Sequence, residues 1–195
     1  MIDTKEYIID QAYGLFLSKS YDSVSISDIS KAIGFTKGAL YHHFVNKEDL
    51  FKAVIDKYLR ILGPGDIPEE CTVAEYIRAS IDNIRVLISN TCIGDQPFIP
   101  VNYLSLLIDA LRYYPGFAEE KEKLFTTEIG KLKLLLDRAV RKGEIRKEID
   151  TQIMAMNFFT LITGIAANLF RSDSPEKALQ SFQAQLHEFY KILKK

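Results

Sequence analysis

The sequence is poor in cysteine and carries no excess of positive charge, and each shortage excludes a class of protein. Only two cysteines, Cys71 and Cys92, occur in 195 residues. Two are too few for a disulfide framework, and their spacing matches no metal motif. We therefore expect two reduced thiols, with a disulfide or a redox role as the alternative. Lysine and arginine number 25 against 26 acidic residues, so bulk charge gives no support for nucleic-acid binding.

The chain also lacks the motifs that carry chemistry. No nucleophile–base arrangement, paired-carboxylate motif, phosphate loop or metal cluster can be identified, so we expect no enzyme, no cofactor and no metal site. His42 and His43 are adjacent, which points them to different sides of a helix and argues against a shared metal ion. Residues 1–6 are acidic and polar and lack the regions of a signal peptide. A cytoplasmic protein is the expectation.

Long apolar runs are scarce as well. Residues 153–170 form a run of eighteen without a charge, which touches the lower limit for a membrane span. The run contains Asn157, Thr160, Thr163 and Asn168, and no second run of this kind follows. A helix buried on nearly all sides in a core or a dimer interface explains it better. We therefore expect no membrane association.

What the sequence has in abundance is helical periodicity. Ile8, Ala12, Leu15 and Phe16 recur at spacings of three to four residues, which is typical of an amphipathic helix. Further helices are predicted over about 25–33, 36–44, 46–62, 72–90, 101–113, 117–142, 150–171 and 175–193. No internal repeat, low-complexity tract or convincing strand is visible. The pattern predicts an all-α protein of about nine helices.

Local signals mark the ends of the N-terminal helices. Ser25-Ile-Ser-Asp28 is a capping box with aspartate in place of the usual glutamate. Gly34 can adopt the left-handed backbone at which helices commonly stop. Thr36 can cap the next helix, and Asn46-Lys-Glu-Asp49 is a further N-cap with acids that suit the helix dipole. Two short helices joined by a tight glycine turn, at 25–44, are the layout of a DNA-binding helix-turn-helix.

The second helix of this motif would expose one face to the major groove while Leu40 and Phe44 hold it to the core. The predicted contact residues include small side chains that allow close approach to base edges, hydrogen-bonding groups, and a lysine placed to meet a phosphate. They are Thr36, Lys37, Gly38, Ala39, Tyr41, His42 and Lys47. Because the first fifty residues hold five lysines and seven acids, DNA binding must come from this local arrangement.

Four stretches resemble the TetR family of bacterial transcriptional regulators in order and spacing. They are Ile8-Ile-Asp-Gln-Ala12 with Leu15-Phe16, the run from Tyr21 to Ile29, the run from Ala32 to Phe44, and Lys47-Glu-Asp-Leu50. The stretch Gly-Phe-Thr-Lys-Gly-Ala-Leu-Tyr-His-His-Phe is far more specific than a generic helix-turn-helix. Ser20 stands where the family usually has glycine, so we expect a strained or differently shaped turn there. Ser30 replaces the usual alanine and should fit.

The resemblance implies a fold, a partner and a mode of action. Residues 1–45 would be the DNA-binding domain, and 46–195 the effector-binding and dimerisation domain. Tyr41 and Lys47 would mainly hold phosphate, and Ser25 would approach the DNA backbone. The protein would be a repressor that binds a palindromic operator in double-stranded DNA. It would do so as a homodimer joined through the last two helices, about 150–171 and 175–193.

Aromatic residues are frequent beyond residue 70, and most are expected in the core. Small molecules bind in concave, mostly apolar sites between helices, so we also expect a pocket for a small apolar or aromatic effector. The candidate lining residues are Tyr76, Phe98, Asn102, Tyr103, Arg112, Tyr113, Phe117, Phe125, Asn157 and Phe158. A helical ligand-binding protein without sequence-specific DNA binding is the alternative, and a structural adaptor is another.

Overall fold

Nine α-helices account for most of the computed structural model, which describes residues 3–59, 65–90, 100–165 and 174–195. They are α1 (Thr4–Ser18), α2 (Ile26–Ile33), α3 (Lys37–His43), α4 (Lys47–Tyr58), α5 (Val73–Asn90), α6 (Pro100–Tyr113), α7 (Phe117–Lys142), α8 (Thr151–Thr163) and α9 (Pro175–Leu193). A 3-10 turn, Tyr21–Ser23, precedes α2. Within the described ranges no strand is present beyond one isolated bridge. The all-α prediction is confirmed.

The predicted caps are confirmed by their hydrogen bonds. The Ser25 hydroxyl accepts from the Asp28 N–H at 3.1 Å, and the Asp28 carboxylate accepts from the Ser25 N–H at 2.9 Å. The bonds from Ser25 also hold the pKa of Asp28 below its usual value. The Thr36 hydroxyl and the Asn46 amide oxygen cap α3 and α4 in the same way. Each cap satisfies an N–H that the first turn of a helix leaves without a partner.

Two predicted helix ends are wrong. The fourth helix ends at Tyr58 and not at residue 62, because Leu59 leaves the helical range with φ −106° and ψ 5°. The helix predicted over 150–171 ends at Thr163. There the Thr160 and Thr163 hydroxyls donate to backbone carbonyls of the preceding turn, a pattern that often bends helices, and Gly164 lowers helix propensity. Residues 166–171 lie outside the described ranges.

The described residues divide into two compact units. The first comprises Met1–Ile61 and Ile99–Glu120, and the second Leu62–Phe98 and Lys121–Lys195. In the first unit α1 packs against α2, α4 and α6. The side chains at its centre are no more than 1% exposed; they are Ile8, Ala12, Phe16, Ile29, Leu40, Leu50, Phe51, Val54, Leu106 and Ala110. The boundary predicted between the DNA-binding domain and the effector-binding domain, at residues 45 and 46, stays a prediction. In their packing, α4 and α6 belong to the same compact unit as α1–α3.

In the second unit α9 packs against α5 and α8. Its core includes Tyr76, Leu132, Leu135, Leu136, Ala155, Phe158, Phe182 and Leu186. In the single chain, Ile153 and Met156 in the described part of the charge-free run are 47% and 46% exposed. Burial of this run in a core or a dimer interface stays a prediction. No helix of the described ranges is both long and apolar enough to cross a membrane.

Candidate nucleic-acid interface

Helix α3 buries one face and presents the other to solvent. Leu40 and the C-cap residue Phe44 are only 1% and 3% exposed, whereas Tyr41 is 54% exposed. Most of the other predicted DNA-facing residues are also exposed: Ser25, Thr36, Lys37, Gly38 and His42, with Ala39 half-buried. The predicted contact residues of α3 therefore lie on its exposed side, and Leu40 and Phe44 anchor the other side in the core, while Ser25 caps α2.

Hydrogen bonds between residues on either side of Gly34 fix the turn between α2 and α3. Gly34 has φ 72°, a left-handed conformation that costs other residues about 1–2 kcal/mol. Across it the Phe35 N–H donates to the Ser30 carbonyl at 3.1 Å, and the Ser30 hydroxyl donates to the Phe35 carbonyl at 2.5 Å. Ser30 thus adds a hydrogen bond that an alanine could not make.

Gly34→Ala is expected to lower the free energy of unfolding by about 1–2 kcal/mol. A Cβ added at Gly34 meets nothing within 4 Å, so the cost comes from the backbone and not from a clash. Gly130→Ala is the matched control, because Gly130 also has open space around it but lies within α7 without a positive φ. It should stabilise the protein by about 0.5–1 kcal/mol. Urea unfolding followed by circular dichroism measures the free energy of unfolding of both variants. A change of the same sign in the two would contradict this account.

The turn before α2 is not strained, so of the two alternatives expected at Ser20 strain is wrong, and a different shape stays a prediction. Ser20 has φ −61° and ψ 154°, an extended conformation that any residue adopts. No described residue other than glycine has a positive φ. Serine therefore replaces the usual glycine here without a backbone penalty.

Tyr21 links this turn to the start of α4. The Lys47 ammonium donates to the Tyr21 carbonyl at 3.0 Å and lies 3.9 Å from the centroid of its ring. Burial, with the Glu48 carboxylate nearby, raises the pKa of Tyr21. One donor of the ammonium is therefore used inside the protein, and two remain of the three that a lysine carries. Its predicted phosphate contact has to use these two.

Helix α6 holds the same turn, although it lies far away in sequence. The Asp109 carboxylate, in a residue only 6% exposed, accepts from the Tyr21 N–H at 2.7 Å. Tyr113 stacks on Tyr21 with ring centroids 4.4 Å apart, and its hydroxyl donates to Asp22. Sequence analysis missed Asp109 and assigned Tyr113 to an effector pocket. An acid within the apolar stretch Leu106-Leu-Ile-Asp-Ala110 was the available signal.

Asp109→Ala is expected to destabilise the protein by about 1–3 kcal/mol, because the partly buried Tyr21 N–H would lose its acceptor. Asp82→Ala is the control, since Asp82 is an exposed acid that pairs with Arg85 on α5, and such pairs contribute about 0–1 kcal/mol. Urea unfolding compares the two. A loss for Asp109→Ala no larger than the control would mean that α6 does not secure the turn.

Helix α3 has no acidic residue. Its sequence is Lys-Gly-Ala-Leu-Tyr-His-His. Most of the acids of the N-terminal segment have internal partners. Asp28 and Asp49 accept from backbone N–H groups next to helix caps. Glu6 and Asp10 both hold the Lys57 ammonium at 2.5 Å. Helix α3 itself therefore presents no carboxylate to a phosphate.

The predicted effector-pocket residues are divided between the two units. Asn102, Tyr103, Arg112, Tyr113 and Phe117 lie in the first, and Tyr76, Phe125, Asn157 and Phe158 in the second; Phe98 lies outside the described ranges. Arg112 and Asn157 are exposed, and Phe117 belongs to the first core. Tyr76 and Phe158 are packed together, with ring centroids 5.4 Å apart. A single pocket formed by the whole set stays a prediction.

A comparison with known protein families shows what the N-terminal helices resemble. Residues 8–54 match the family model described as bacterial regulatory proteins, tetR family. Over this N-terminal segment the chain is similar to the TetR family. The match contains every residue predicted above to face DNA.

Curated relatives agree. The chain is 44% identical over 54 residues to the uncharacterized HTH-type transcriptional regulator YwcC of Bacillus subtilis, covering 28% of this chain and 24% of YwcC. It is 25% identical over 177 residues to the HTH-type transcriptional regulator UidR of Escherichia coli K12, covering 90% and 86% of the two chains. Relatives at 40% identity or more are matched over about a quarter of their length.

Solved structures share the whole fold. The ketosteroid transcriptional regulator KstR2 of Mycobacterium tuberculosis superposes with a TM-score of 0.69 at 18% identity, covering 100% of this chain and 97% of KstR2. At this identity the likeness establishes the fold. The helices beyond residue 54 therefore share the fold of this regulator, although the family model covers only residues 8–54.

Proposed function

We propose that this TetR-family protein regulates transcription by binding a palindromic operator as a homodimer in the cytoplasm, without catalytic activity. The observation that carries the proposal is the two-sided character of α3. Its core face is held by Leu40 and Phe44, and its open face carries Lys37, Tyr41 and His42 next to the small residue Gly38. These side chains can form hydrogen bonds to phosphates and base edges, and an α-helix fits into the major groove of DNA.

A dimer is required because α3 has only seven residues, and one short recognition helix contacts few base pairs. Two copies related by a dyad would read half-sites about 34–36 Å apart, one turn of DNA, or a multiple of that distance. The exposed apolar pair Ile153 and Met156 on α8 supports an interface through α8 and α9, as the sequence analysis predicted. Such side chains are buried when two α8 helices meet.

We further propose that a small effector releases the operator and that α4 transmits its effect. Only three residues separate the end of α3 from the start of α4, and α4 contributes Leu50, Phe51 and Val54 to the core of the first unit. A shift of α4 would therefore carry α3 with it and change the spacing of the two recognition helices. The effector can lower the affinity for operator only by as much as it binds the state that does not bind DNA more tightly than the state that does.

The test is a fluorescence-anisotropy titration with inverted repeats taken from upstream of this gene or a divergent neighbour. The protein is expected to bind one such repeat at least about 1,000-fold more tightly than a scrambled duplex at physiological salt. Equal affinity for both sequences would contradict operator recognition. It would favour the alternative of a helical ligand-binding protein without sequence-specific DNA binding.

A further inference from the structure

The Lys47 ammonium is held by neutral groups. It donates to the Tyr21 carbonyl at 3.0 Å and lies 3.9 Å from the centroid of the Tyr21 ring. Among the described residues it forms no ion pair, whereas the Lys57 ammonium is shared by two carboxylates. The positive charge of Lys47 therefore remains available to an anion.

The position of Tyr21 decides where this ammonium lies. Both contacts of the ammonium belong to Tyr21, and the lysine side chain itself is a flexible four-carbon stem. Tyr21 begins a 3-10 turn of three residues, none of which is buried, and the hydrogen bonds of such turns have poor geometry. The turn therefore needs contacts from elsewhere in the fold to fix the Tyr21 ring.

Three helices supply ring contacts to Tyr21. Phe51 of α4 meets the ring edge-on with centroids 4.7 Å apart, and Phe16 of α1 lies at 6.0 Å. Tyr113 of α6 is nearer, stacked at 4.4 Å with an interplanar angle of 22°. The Tyr113 hydroxyl also donates to Asp22, the next residue of the turn. Tyr113 therefore contacts both the ring that holds the ammonium and the turn that carries this ring.

The end of α6 that carries Tyr113 is itself anchored. Tyr113 is the last residue of α6, and the residue after it, Tyr114, is 5% exposed and donates its hydroxyl to Asp56 at 3.0 Å. One turn earlier, Asp109 accepts from the Tyr21 N–H at 2.7 Å. Because its backbone is fixed on both sides, the Tyr113 ring can hold Tyr21 in one place, and stacked rings stabilise each other beyond the area that they bury.

We propose that Tyr113 is a positioning residue for DNA binding: by stacking on Tyr21, it holds the Lys47 ammonium where a DNA phosphate can accept from its two remaining donors. The role of the ammonium toward DNA rests on the proposed function. Its position in the free protein does not, so the two can be tested separately.

The first test measures the surroundings of Lys47 without DNA, by NMR of the protein labelled with ¹³C-lysine. Protons above an aromatic ring resonate upfield of their usual shift. The ε-methylene signal of Lys47 should lie furthest upfield, because its ammonium is nearer to a ring than that of any other described lysine. Lys47→Arg assigns this signal by removing it. Tyr113→Leu is expected to remove most of the upfield shift, and Tyr113→Phe, which keeps a stacked ring, should preserve most of it.

Tyr58→Leu is the matched control. Tyr58 is also a half-buried tyrosine of the first unit that stacks on another tyrosine, Tyr13, at 3.7 Å and donates its hydroxyl to an aspartate, Asp10, at 2.7 Å. It lies eleven residues after Lys47 on α4, a distance of about 16 Å along a helix. A general loosening of the fold would affect both variants, whereas a positioning role predicts that only Tyr113→Leu moves the Lys47 signal.

The second test measures the affinity for a DNA duplex as a function of salt concentration; a scrambled sequence suffices because phosphate contacts do not depend on sequence. Lys47→Met should lower the slope of log affinity against log salt by about 0.9 per subunit. Tyr113→Leu should lose part of the same slope and weaken binding by about 5-fold or more, a coupling typical of residues that act together. In the Lys47→Met background it should change the affinity by less than about twofold. Tyr58→Leu should keep the full slope.

Four results would overturn the proposal. They are a wild-type Lys47 signal at the usual lysine position, an unchanged signal in Tyr113→Leu, an equal loss of the upfield shift in Tyr113→Phe and Tyr113→Leu, and additive effects of Tyr113→Leu and Lys47→Met on duplex affinity. A wild-type protein that binds no duplex would contradict the proposed function, and the role of Tyr113 in DNA binding with it. The NMR result would then still show whether Tyr113 holds Lys47 in place, which separates the two failures.

Discussion

Lys37→Ala combined with Tyr41→Ala is expected to weaken operator binding by roughly 100-fold or more. Good base or phosphate contacts contribute about 1–3 kcal/mol each, and both side chains lie on the exposed face of α3. Neither contributes to the core, and alanine is a good helix former, so the fold should remain intact. Fluorescence anisotropy with the operator measures the affinity, and circular dichroism verifies the helix content.

The matched control removes one charge elsewhere. Lys123→Ala, at an exposed position of α7, should leave operator affinity within about twofold, because charges beyond a Debye length of about 8–10 Å from the DNA are largely screened. Wild-type affinity in the double variant would show that another face of the protein reads DNA. A loss that is equal for operator and scrambled duplex would assign both residues to phosphate contact.

Ile153→Glu combined with Met156→Glu is expected to convert the protein into a monomer. The two side chains lie three residues apart on α8, which places them on one helix face, and they are 47% and 46% exposed. Two α8 helices brought together would bury four carboxylates without partners, and each buried charge costs several kcal/mol. Sedimentation velocity should therefore show a monomer at concentrations where the wild type is a dimer.

Operator binding should fall together with the dimer. A second half-site is bound at a high effective concentration only while the two recognition helices are linked. The control is Val86→Glu combined with Leu134→Glu, which places the same charges at two other exposed apolar side chains, 54% and 59% exposed, on α5 and α7. It should remain dimeric. A dimeric α8 variant beside a monomeric control would move the interface away from the last two helices.

Helix ends and the exposed face of α3 could be read from the sequence because they depend on neighbours in the chain. The Ser25 capping box spans four residues, and the turn at Gly34 needs only a residue that tolerates a φ of 72°. The alternation of Leu40 and Phe44 with Tyr41 and His42 follows from helical geometry alone. These signals also carried the family resemblance, which is why it lies within residues 8–54.

Only the tertiary structure decided what α6 contacts and how each aromatic residue is surrounded. The bond from the Tyr21 N–H to Asp109 joins residues 88 positions apart, and no local spacing encodes such a pair. Tyr76 and Tyr113 look alike in sequence, as aromatic residues of amphipathic helices. One has a buried hydroxyl without a partner among the described residues, and the other stacks on the turn before α2. Hydrogen-bond satisfaction depends on the atoms that surround a group after folding, so it separates residues that hydrophobic periodicity treats as equal.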